Sequence, residues 1–546
     1  MARTIPVSAR ISQAPARATS LRLMVAAGLV ALFVSIPLVY IFVRAAGADP
    51  ADWQRLLQAR LWKLLGNTLT LALLVTSGTT LLGVSLAWFT ERTDLPGRKL
   101  LRWMLAMPLA IPTYLGAIVH LALMRPRGGL IPQGVEALLG VSLPLPSPLG
   151  LAGSVFVLTF FMYPYVYLLS GAAFRSQHAV FEEAARTLGR TPWQTFWQVT
   201  LPMLRPGVLA GALLVALDVL AEYGTVALLR YETFSSAIFV QLAGRYDRSA
   251  ASILSGVLVG LAMLLLWAEL RLQGEARSTQ MESAWRPAPP IALGVWKGPA
   301  LLFVLGVTAI SLLVPLGVLS AWSVQALLDL PTLSQVVRTG SQGMVHFVWN
   351  SLWTSLLAAL AAMTLALPVA RFSVRYPGRL SHLLARVCQV GYALPGVVIA
   401  LSLVLLINRF LPFLYATPVP ILMAYVLRHM PQAVRAAESA LGRLSASLEE
   451  AARTLGRTSL LALIQVTLPL VLPGLLAGGA LVFLTSLKEL PATLLLRPAG
   501  FDTLAVRVWV WASEGFYVQA APAALILVLA SALPLSFLLR REPLFR

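Results

Sequence analysis

The sequence predicts an all-α polytopic membrane protein with about twelve transmembrane helices, arranged as two parallel repeats of six spans. Three observations predict this fold class: the composition, the series of apolar segments, and one stretch that occurs twice. Of the 546 residues, 58% are hydrophobic and 12% are charged, and the mean hydropathy is +0.79. Soluble proteins carry about 25% charged residues, so this composition excludes a water-soluble enzyme.

Twelve segments are long and apolar enough to cross a bilayer. A spanning helix needs about 20 mostly apolar residues, because each residue rises about 1.5 Å through about 30 Å of hydrocarbon. We interpret the first segment as a retained anchor, because its apolar run from Leu23 to Val43 is longer than the roughly 7–15 residues of a signal peptide. The segments lie near 22–44, 66–90, 102–124, 150–174, 207–229, 251–271, 298–322, 349–371, 386–408, 413–431, 473–496 and 518–540.

The net charge of +20 indicates the orientation of the chain. Counted over alternate loops and both termini, 28 of the 42 Lys and Arg residues fall on one side of the membrane and 14 on the other. Cytoplasmic loops carry the excess of Lys and Arg, so both termini are predicted to lie in the cytoplasm. The positive charge then needs no nucleic-acid partner, and the expected surroundings of the chain are membrane lipid.

One stretch of sequence occurs twice. Residues 182–202 and 449–469 are identical at 15 of 21 positions, and six predicted spans separate them. An even number of spans returns the chain to the same side, so the two six-span halves form a parallel repeat, related by an axis along the membrane normal. We predict a first half at 1–271, a linker at 272–297 and a second half at 298–546.

Each copy of the repeated stretch is predicted to form two short helices joined by a turn. Gly189 and Gly456 stand where a helix end favours a left-handed residue. Thr191 can begin the second helix, and Gln194 can complete a capping box with it. The second copy has Leu461 at the Gln194 position, so no box is expected there. We expect Leu–Pro at 201–202 and at 468–469 to close each element before the next span.

The fixed positions of these copies resemble a known family pattern. Both contain Glu-Ala-Ala, three residues, Gly, nine residues, an aliphatic residue, one residue and Leu-Pro. This pattern resembles the EAA loop of type I binding-protein-dependent ABC importer permeases. The matching positions are Glu183, Ala184, Ala185, Gly189, Leu201 and Pro202, and then Glu450, Ala451, Ala452, Gly456, Leu468 and Pro469.

The resemblance implies a function and a set of partners. In that family the loop docks into a groove of an ATP-binding subunit, and its glutamate meets a basic residue there, which are the roles implied for Glu183 and Glu450. The expected partners are two copies of an ABC ATPase at the cytoplasmic loops and an extracytoplasmic substrate-binding protein. The expected location is a bacterial inner membrane. Substrate would cross by alternating access.

Within the family the chain looks closest to fused twelve-span permeases for ferric iron. The stretches that carry this are 221–226 with 232–234, and 487–493 with 501–504. Thiamine, phosphonate, sulfate and polyamine permeases share a related architecture and remain alternative functions. An ion-coupled secondary transporter is a further alternative, but it leaves the paired loops unexplained.

The chain has no P-loop that could hold the phosphates of ATP. It contains no Gly-x-x-x-x-Gly-Lys-Ser/Thr motif, the sequence whose backbone N–H groups and lysine cradle nucleotide phosphates in that class of site. We therefore expect the chain to be a transport subunit and not an enzyme, with no cofactor of its own and with ATP hydrolysed by its partners. The five histidines are scattered and Cys388 is the only cysteine, so no resident metal site is predicted.

Charged residues inside spans are the candidates for a translocation path, because each costs about 2.5–3.5 kcal/mol at the bilayer centre and rarely faces lipid. Carboxylates around an outer vestibule would suit a hard cation such as Fe³⁺. The alternative is a structural role for these side chains. Lys488 would pair with a carboxylate across the halves, or Glu222 and Glu489 would satisfy backbone groups where the helices break. The candidates are Asp218, Glu222, Tyr223, Lys488 and Glu489.

Overall fold

The computed structural model describes residues 14–126, 128–141, 145–176, 179–273, 289–329 and 343–541, and these form helices joined by short connections. The α-helices up to the middle of the chain are α1 Ala14–Ala46, α2 Pro50–Leu56, α3 Trp62–Arg92, α4 Arg98–Ala106, α5 Thr113–Met124, α6 Leu130–Leu139, α7 Leu151–Ser176, α8 Ala179–Thr187, α9 Pro192–Thr195, α10 Leu201–Ala221, α11 Gly224–Leu228, α12 Phe234–Phe239 and α13 Arg248–Gln273. The remaining α-helices are α14 Lys297–Thr308, α15 Val314–Leu328, α16 Met344–Arg375, α17 Arg379–Gln389, α18 Gly396–Phe410, α19 Val419–Gly442, α20 Ala446–Thr454, α21 Ser459–Ala462, α22 Leu468–Leu487, α23 Pro491–Leu496, α24 Leu504–Ser513 and α25 Tyr517–Arg541.

Each of the twelve predicted segments overlaps one or more of these helices. Among the described residues, nine helices are long and apolar enough to cross a membrane, and the pair α4 and α5, bent by 95°, makes a tenth span if taken together. The two other predicted segments, 386–408 and 413–431, correspond to the broken pair α17 and α18 and to α19. Helix α19 is 24 residues long but carries several charged side chains, which lowers its apolar character.

The third span of each half is broken at a proline. Pro112 precedes α5, and Pro395 precedes α18. A proline pushes the residue before it out of the helical region, and Ile111 and Leu394 are accordingly extended, with ψ of 117° and 102°. The two breaks therefore occur at matching places in the two halves.

The two halves exchange their first helices. Helix α1 packs against α16 of the second half, where Ala27 and Val34 join the same buried cluster as Ala358 and Ala362. Helix α14 packs in return against the first half, because Val304 lies in one buried cluster with side chains of α3 and α4. Small residues let membrane helices approach closely, and the exchange joins the halves into one packed body.

The start of the second half is also fixed to the first half through backbone. Ile291 donates its N–H to the carbonyl of Arg92 at 2.7 Å and accepts from the N–H of Asp94 at 3.1 Å. Lys297 lies 2.7 Å from the Asp94 carboxylate, and its hydrogen bond lowers the pKa of Asp94. Most of the predicted linker, 274–288, lies outside the described residues.

The crossing of α3 and α7 depends on glycine. A Cβ added at Gly83 would lie 2.7 Å from the Cβ of Val166 and 2.9 Å from the backbone N of Tyr167. Neither atom belongs to the free end of a flexible side chain, so the helices would have to separate. Gly66, on the same helix, has nothing within 4 Å of such a Cβ.

We therefore expect Gly83→Ala to lower the free energy of unfolding by about 1–3 kcal/mol, the usual cost of overpacking. Gly66→Ala is the matched control and should change it little. The measurement is thermal unfolding of the purified protein in detergent. Equal melting temperatures for the two variants would show that α3 and α7 are not in close contact at Gly83.

Candidate functional site

The turn inside each repeated loop has the predicted left-handed glycine. Gly189 has φ +80° and Gly456 has φ +83°. The residue after each glycine donates its N–H back across the turn, to the carbonyl of Ala185 in the first loop and of Ala452 in the second, both at 3.1 Å. This is the Schellman pattern that satisfies the last carbonyls of a helix, and it confirms the predicted turn in both copies.

The second helix of the first loop begins with the predicted capping box. Thr191 donates its N–H to Gln194 Oε1 at 3.1 Å, and Gln194 donates its N–H to Thr191 Oγ1 at 3.3 Å. In the second loop only one half of the box forms, from the N–H of Leu461 to Thr458 Oγ1 at 3.3 Å. Both outcomes agree with the sequence.

The expectation that Leu–Pro closes each loop element is wrong. The helix continues through Leu201–Pro202 and through Leu468–Pro469 into α10 and α22, after one wide π-helical turn at 196–200 and at 463–467. The N–H of Leu201 bonds to the carbonyl of Phe196 five residues earlier. Because of this wider turn, the helix continues through Pro202, which has no backbone N–H to donate.

The two neighbouring glutamates of each loop point in different directions. Glu182 pairs with Arg92, and Glu449 pairs with Arg371, and all four of these side chains are largely buried. The following glutamates, at 183 and 450, are exposed and belong to no ion pair within the described part of the chain. The proposed coupling carboxylates therefore face away from the body of the protein.

The two alanines of each loop also differ in exposure to solvent. Ala185 and Ala452 are buried, whereas the alanine before each is exposed. Large apolar side chains are exposed beside them: Leu188 and Trp193 in the first loop are 82% and 70% exposed, and the matching Leu455 and Leu460 are 84% and 64% exposed. An exposed apolar cluster of this kind is typical of a protein–protein interface.

A cavity of about 200 Å³ lies between the two halves. Its walls come from the breaks of the third spans, from α7 and α10 of the first half, and from α19 and α22 of the second half. The side chains that sequence analysis selected for the path are together among the residues that line it: Asp218, Glu222, Tyr223, Lys488 and Glu489.

Two of these side chains also satisfy backbone at helix breaks. Glu222 accepts hydrogen bonds from the N–H of Thr225 at 2.8 Å and from Thr113 Oγ1 at 3.0 Å. Lys488 Nζ donates to the carbonyl of Leu109 in the first half at 2.7 Å. Both residues therefore line the cavity and also satisfy backbone groups at helix breaks.

Sequence analysis missed Arg428 and His429, which also line the cavity. Arg428 is one of the 28 Lys and Arg residues that the charge count assigns to the cytoplasmic side, but it lies inside α19, which runs on to Gly442. Arg428 Nε lies 2.9 Å from Glu489 and its guanidinium lies 4.0 Å from Asp218 of the other half. The signal was present: both residues fall inside the predicted segment 413–431.

The cavity is therefore mixed in charge, with three carboxylates and two cationic side chains. Glu489 Oε1 and His429 Nε2 are buried and have no hydrogen-bond partner within the described part of the chain. No group of three or more His, Cys, Asp or Glu side chains among the described residues is placed to hold a metal ion. The lining is thus not a simple ring of carboxylates, because Arg428 compensates Glu489 directly.

The chain matches a family model twice. The model describes the binding-protein-dependent transport system inner membrane component, and it matches residues 81–273 and 358–541. The iron(III) transport system permease protein FbpB 2 of Haemophilus influenzae is 31% identical over 94% of this chain and 96% of its own length. The ferric transport system permease protein FbpB of Actinobacillus pleuropneumoniae is 24% identical over 93% of this chain. The sulfate transport system permease protein CysW of Escherichia coli is 29% identical over 46% of this chain and 88% of its own.

The Arg428–Glu489 pair makes a prediction about stability. Arg428→Leu leaves a buried carboxylate without its cation, and breaking one side of a buried pair costs about 3–5 kcal/mol. We expect a corresponding drop in the melting temperature in detergent, largely restored in Arg428→Leu with Glu489→Gln. Arg409→Leu removes an exposed arginine and is the control. A double variant as unstable as the single one would contradict the pairing.

Proposed function

This chain belongs to the family of binding-protein-dependent transport system inner membrane components, and from that premise we propose that it is the permease subunit of an ATP-driven importer of ferric iron. Its membership makes it a multi-pass inner-membrane protein that serves transport. The family model matches both halves, so one chain supplies the two membrane halves of the importer.

One observation supports ferric iron over the related substrates. The similarity to the Haemophilus influenzae ferric permease extends over almost the full length of both chains, whereas the sulfate permease of Escherichia coli matches only 46% of this chain. The fused, two-half architecture is thus shared with the ferric permease as a whole. The sulfate permease shares one half of it.

The repeated loops are proposed to bind two copies of an ATPase subunit. Each loop presents an outward carboxylate, Glu183 or Glu450, beside exposed apolar side chains. Such a surface suits a partner with a basic residue and an apolar groove. We propose that these loops and both termini lie in the cytoplasm, and that an extracytoplasmic binding protein delivers substrate to the opposite face.

The cavity between the halves is proposed to be part of the translocation path. Carboxylate oxygens from both halves suit a hard cation, and the neighbouring Arg428 and Lys488 reduce the net negative charge. A path must bind its ion weakly enough to release it, and a mixed lining does so. ATP-driven closure of the partner dimer would draw the two loops together, and hydrolysis would reset them.

Sulfate is the second candidate, because one feature of the cavity favours an anion. Arg428 and Lys488 both place cationic groups in the cavity wall, and the sulfate permease CysW is a relative of this chain. Three carboxylates in the same wall oppose an anion, so ferric iron remains the proposal.

The loop assignment is tested by Glu183→Ala combined with Glu450→Ala. We expect uptake of ⁵⁵Fe³⁺ by cells to fall by about tenfold or more, because each loop loses a charge-assisted contact worth about 1.5–3 kcal/mol. Membrane insertion should be unchanged. Normal uptake in the double variant would refute the loop assignment.

The substrate and the energy source are tested in the same cells. Deletion of the gene for this chain should abolish uptake of ⁵⁵Fe³⁺ and leave uptake of ³⁵S-sulfate, thiamine, phosphonate and polyamine intact. Loss of the ATPase partners should have the same effect. Loss of sulfate uptake alone would favour the second candidate, and transport that survives without ATPases would indicate an ion-coupled transporter.

A further inference from the structure

The second span of each half is held by polar contacts at both of its ends. These spans are α3 and α16, of 31 and 32 residues. Each runs as one helix from the end of the molecule that carries the repeated loops, called here the loop end, to the opposite end. The contacts at the two ends are side-chain contacts to segments far away in the sequence.

At the loop end of α3, a buried ion pair joins the helix to the first repeated loop. Arg92 donates to one oxygen of Glu182, and the other oxygen accepts from Thr200 Oγ1 at 2.9 Å. Glu182 thus connects α3 to both helices of the loop. Because water is largely excluded, the loop cannot move away from α3 without leaving a buried charge unpaired.

The second half reproduces this contact from a different position. Arg371 of α16 donates to Glu449, and Arg375, the last residue of α16, lies 3.5 Å from the same carboxylate. Measured from the asparagines at 67 and 350, Arg92 corresponds to Arg375. The arginine that pairs with the glutamate in the second half therefore lies one helical turn earlier than its counterpart in the first half. An Arg–Glu ion pair nevertheless forms in both halves.

At the opposite end, an asparagine on each helix holds a segment that follows the broken fifth span. Asn67 Nδ2 donates to the carbonyl of Glu232 at 2.9 Å, and Asn350 Nδ2 donates to the carbonyl of Asp502 at 3.1 Å. The next residue of each helix adds a second bond. Thr68 Oγ1 accepts the N–H of Phe234 at 3.1 Å, and Ser351 Oγ accepts the N–H of Leu504 at 2.7 Å.

These held segments border the cavity. Ser235, beside Phe234, donates to the carbonyl of Glu222, which lines the cavity. Trp509 of the second held segment has its ring 5.4 Å from that of Tyr223, another lining residue. A shift of either segment would therefore reach the cavity wall directly.

We propose that α3 and α16 are struts that transmit movement between the repeated loops and the cavity wall, with Glu182, Glu449, Asn67 and Asn350 as positioning residues. The proposal rests on the proposed function, in which the ATPases move the loops. Asn67 and Arg92 are 25 residues apart in one helix, or about 38 Å. A helix of that length, fixed at both ends, carries a displacement that a flexible connection would absorb.

The test uses the complete transporter, with its ATPase and binding protein, in proteoliposomes loaded with ATP. One variant combines Glu182→Gln with Glu449→Gln, and a second combines Asn67→Ala with Asn350→Ala. The readouts are the stimulation of ATP hydrolysis by iron-loaded binding protein and the ⁵⁵Fe³⁺ moved per ATP. We expect the Asn67→Ala and Asn350→Ala variant to keep the ATPase and its basal hydrolysis, and both variants to lose at least about fivefold in both readouts.

The variant at the opposite end is the decisive one, because its asparagines lie about 38 Å along the helix from the loop end, where the ATPases are proposed to bind. Normal stimulation and normal iron per ATP in the Asn67→Ala and Asn350→Ala variant would overturn the proposal. A charge swap, Arg92→Glu with Glu182→Arg, should recover coupling lost in Arg92→Glu alone, and a swap that recovers nothing would also overturn it. Failure of the proposed function itself is distinguishable, since the unmodified transporter would then move no ⁵⁵Fe³⁺ or would move it without ATP.

Discussion

Every backbone polar group within the hydrocarbon must find its partner inside the protein, and the arrangement of this molecule depends on that requirement. Unbroken helices meet it by themselves. The breaks before Pro112 and after Ala221 do not, and they occur where the two halves face each other. Glu222 supplies an acceptor for a free N–H there, and Lys488 supplies a donor for the carbonyl of Leu109. Lys488 therefore satisfies a break across the interface and Glu222 satisfies one within its own half, and both side chains line the cavity.

The two halves share one backbone arrangement, but their side chains in the cavity wall differ. Helix breaks, left-handed glycines, wide turns and the asparagine contacts recur at matched positions. In the cavity wall, however, Phe161 and Met162 of the first half correspond to Arg428 and His429 of the second, at the spacing of 267 residues that relates the loops. Backbone geometry is constrained in both halves by the same membrane, whereas the cavity side chains are not under that constraint and differ between the halves.

Local features were predictable from the sequence, and contacts between distant segments were not. The capping box at Thr191 and the turn at Gly189 depend on residues within six positions of each other, so they followed from spacing alone. The continuation of the helix through Pro202 could not be predicted from spacing, because a π-helical turn accommodates a proline that a regular α-helix would exclude. Arg92 and Glu182 are 90 residues apart in the sequence, and neither residue indicates its partner. The path residues were found because charge inside a span is costly wherever its partner lies.

That cost also separates the two roles of the cavity carboxylates. Satisfying the N–H of Thr225 requires only an acceptor, and a neutral glutamine in place of Glu222 would provide one. A charged group in the membrane costs about 2.5–3.5 kcal/mol on insertion scales, and the structural role does not explain why that cost is met. Glu489 has one oxygen on Arg428, and its other oxygen is buried without a hydrogen-bond partner among the described residues. The helix breaks alone therefore do not require carboxylates at these positions, whereas the ferric cation proposed above would bind to them.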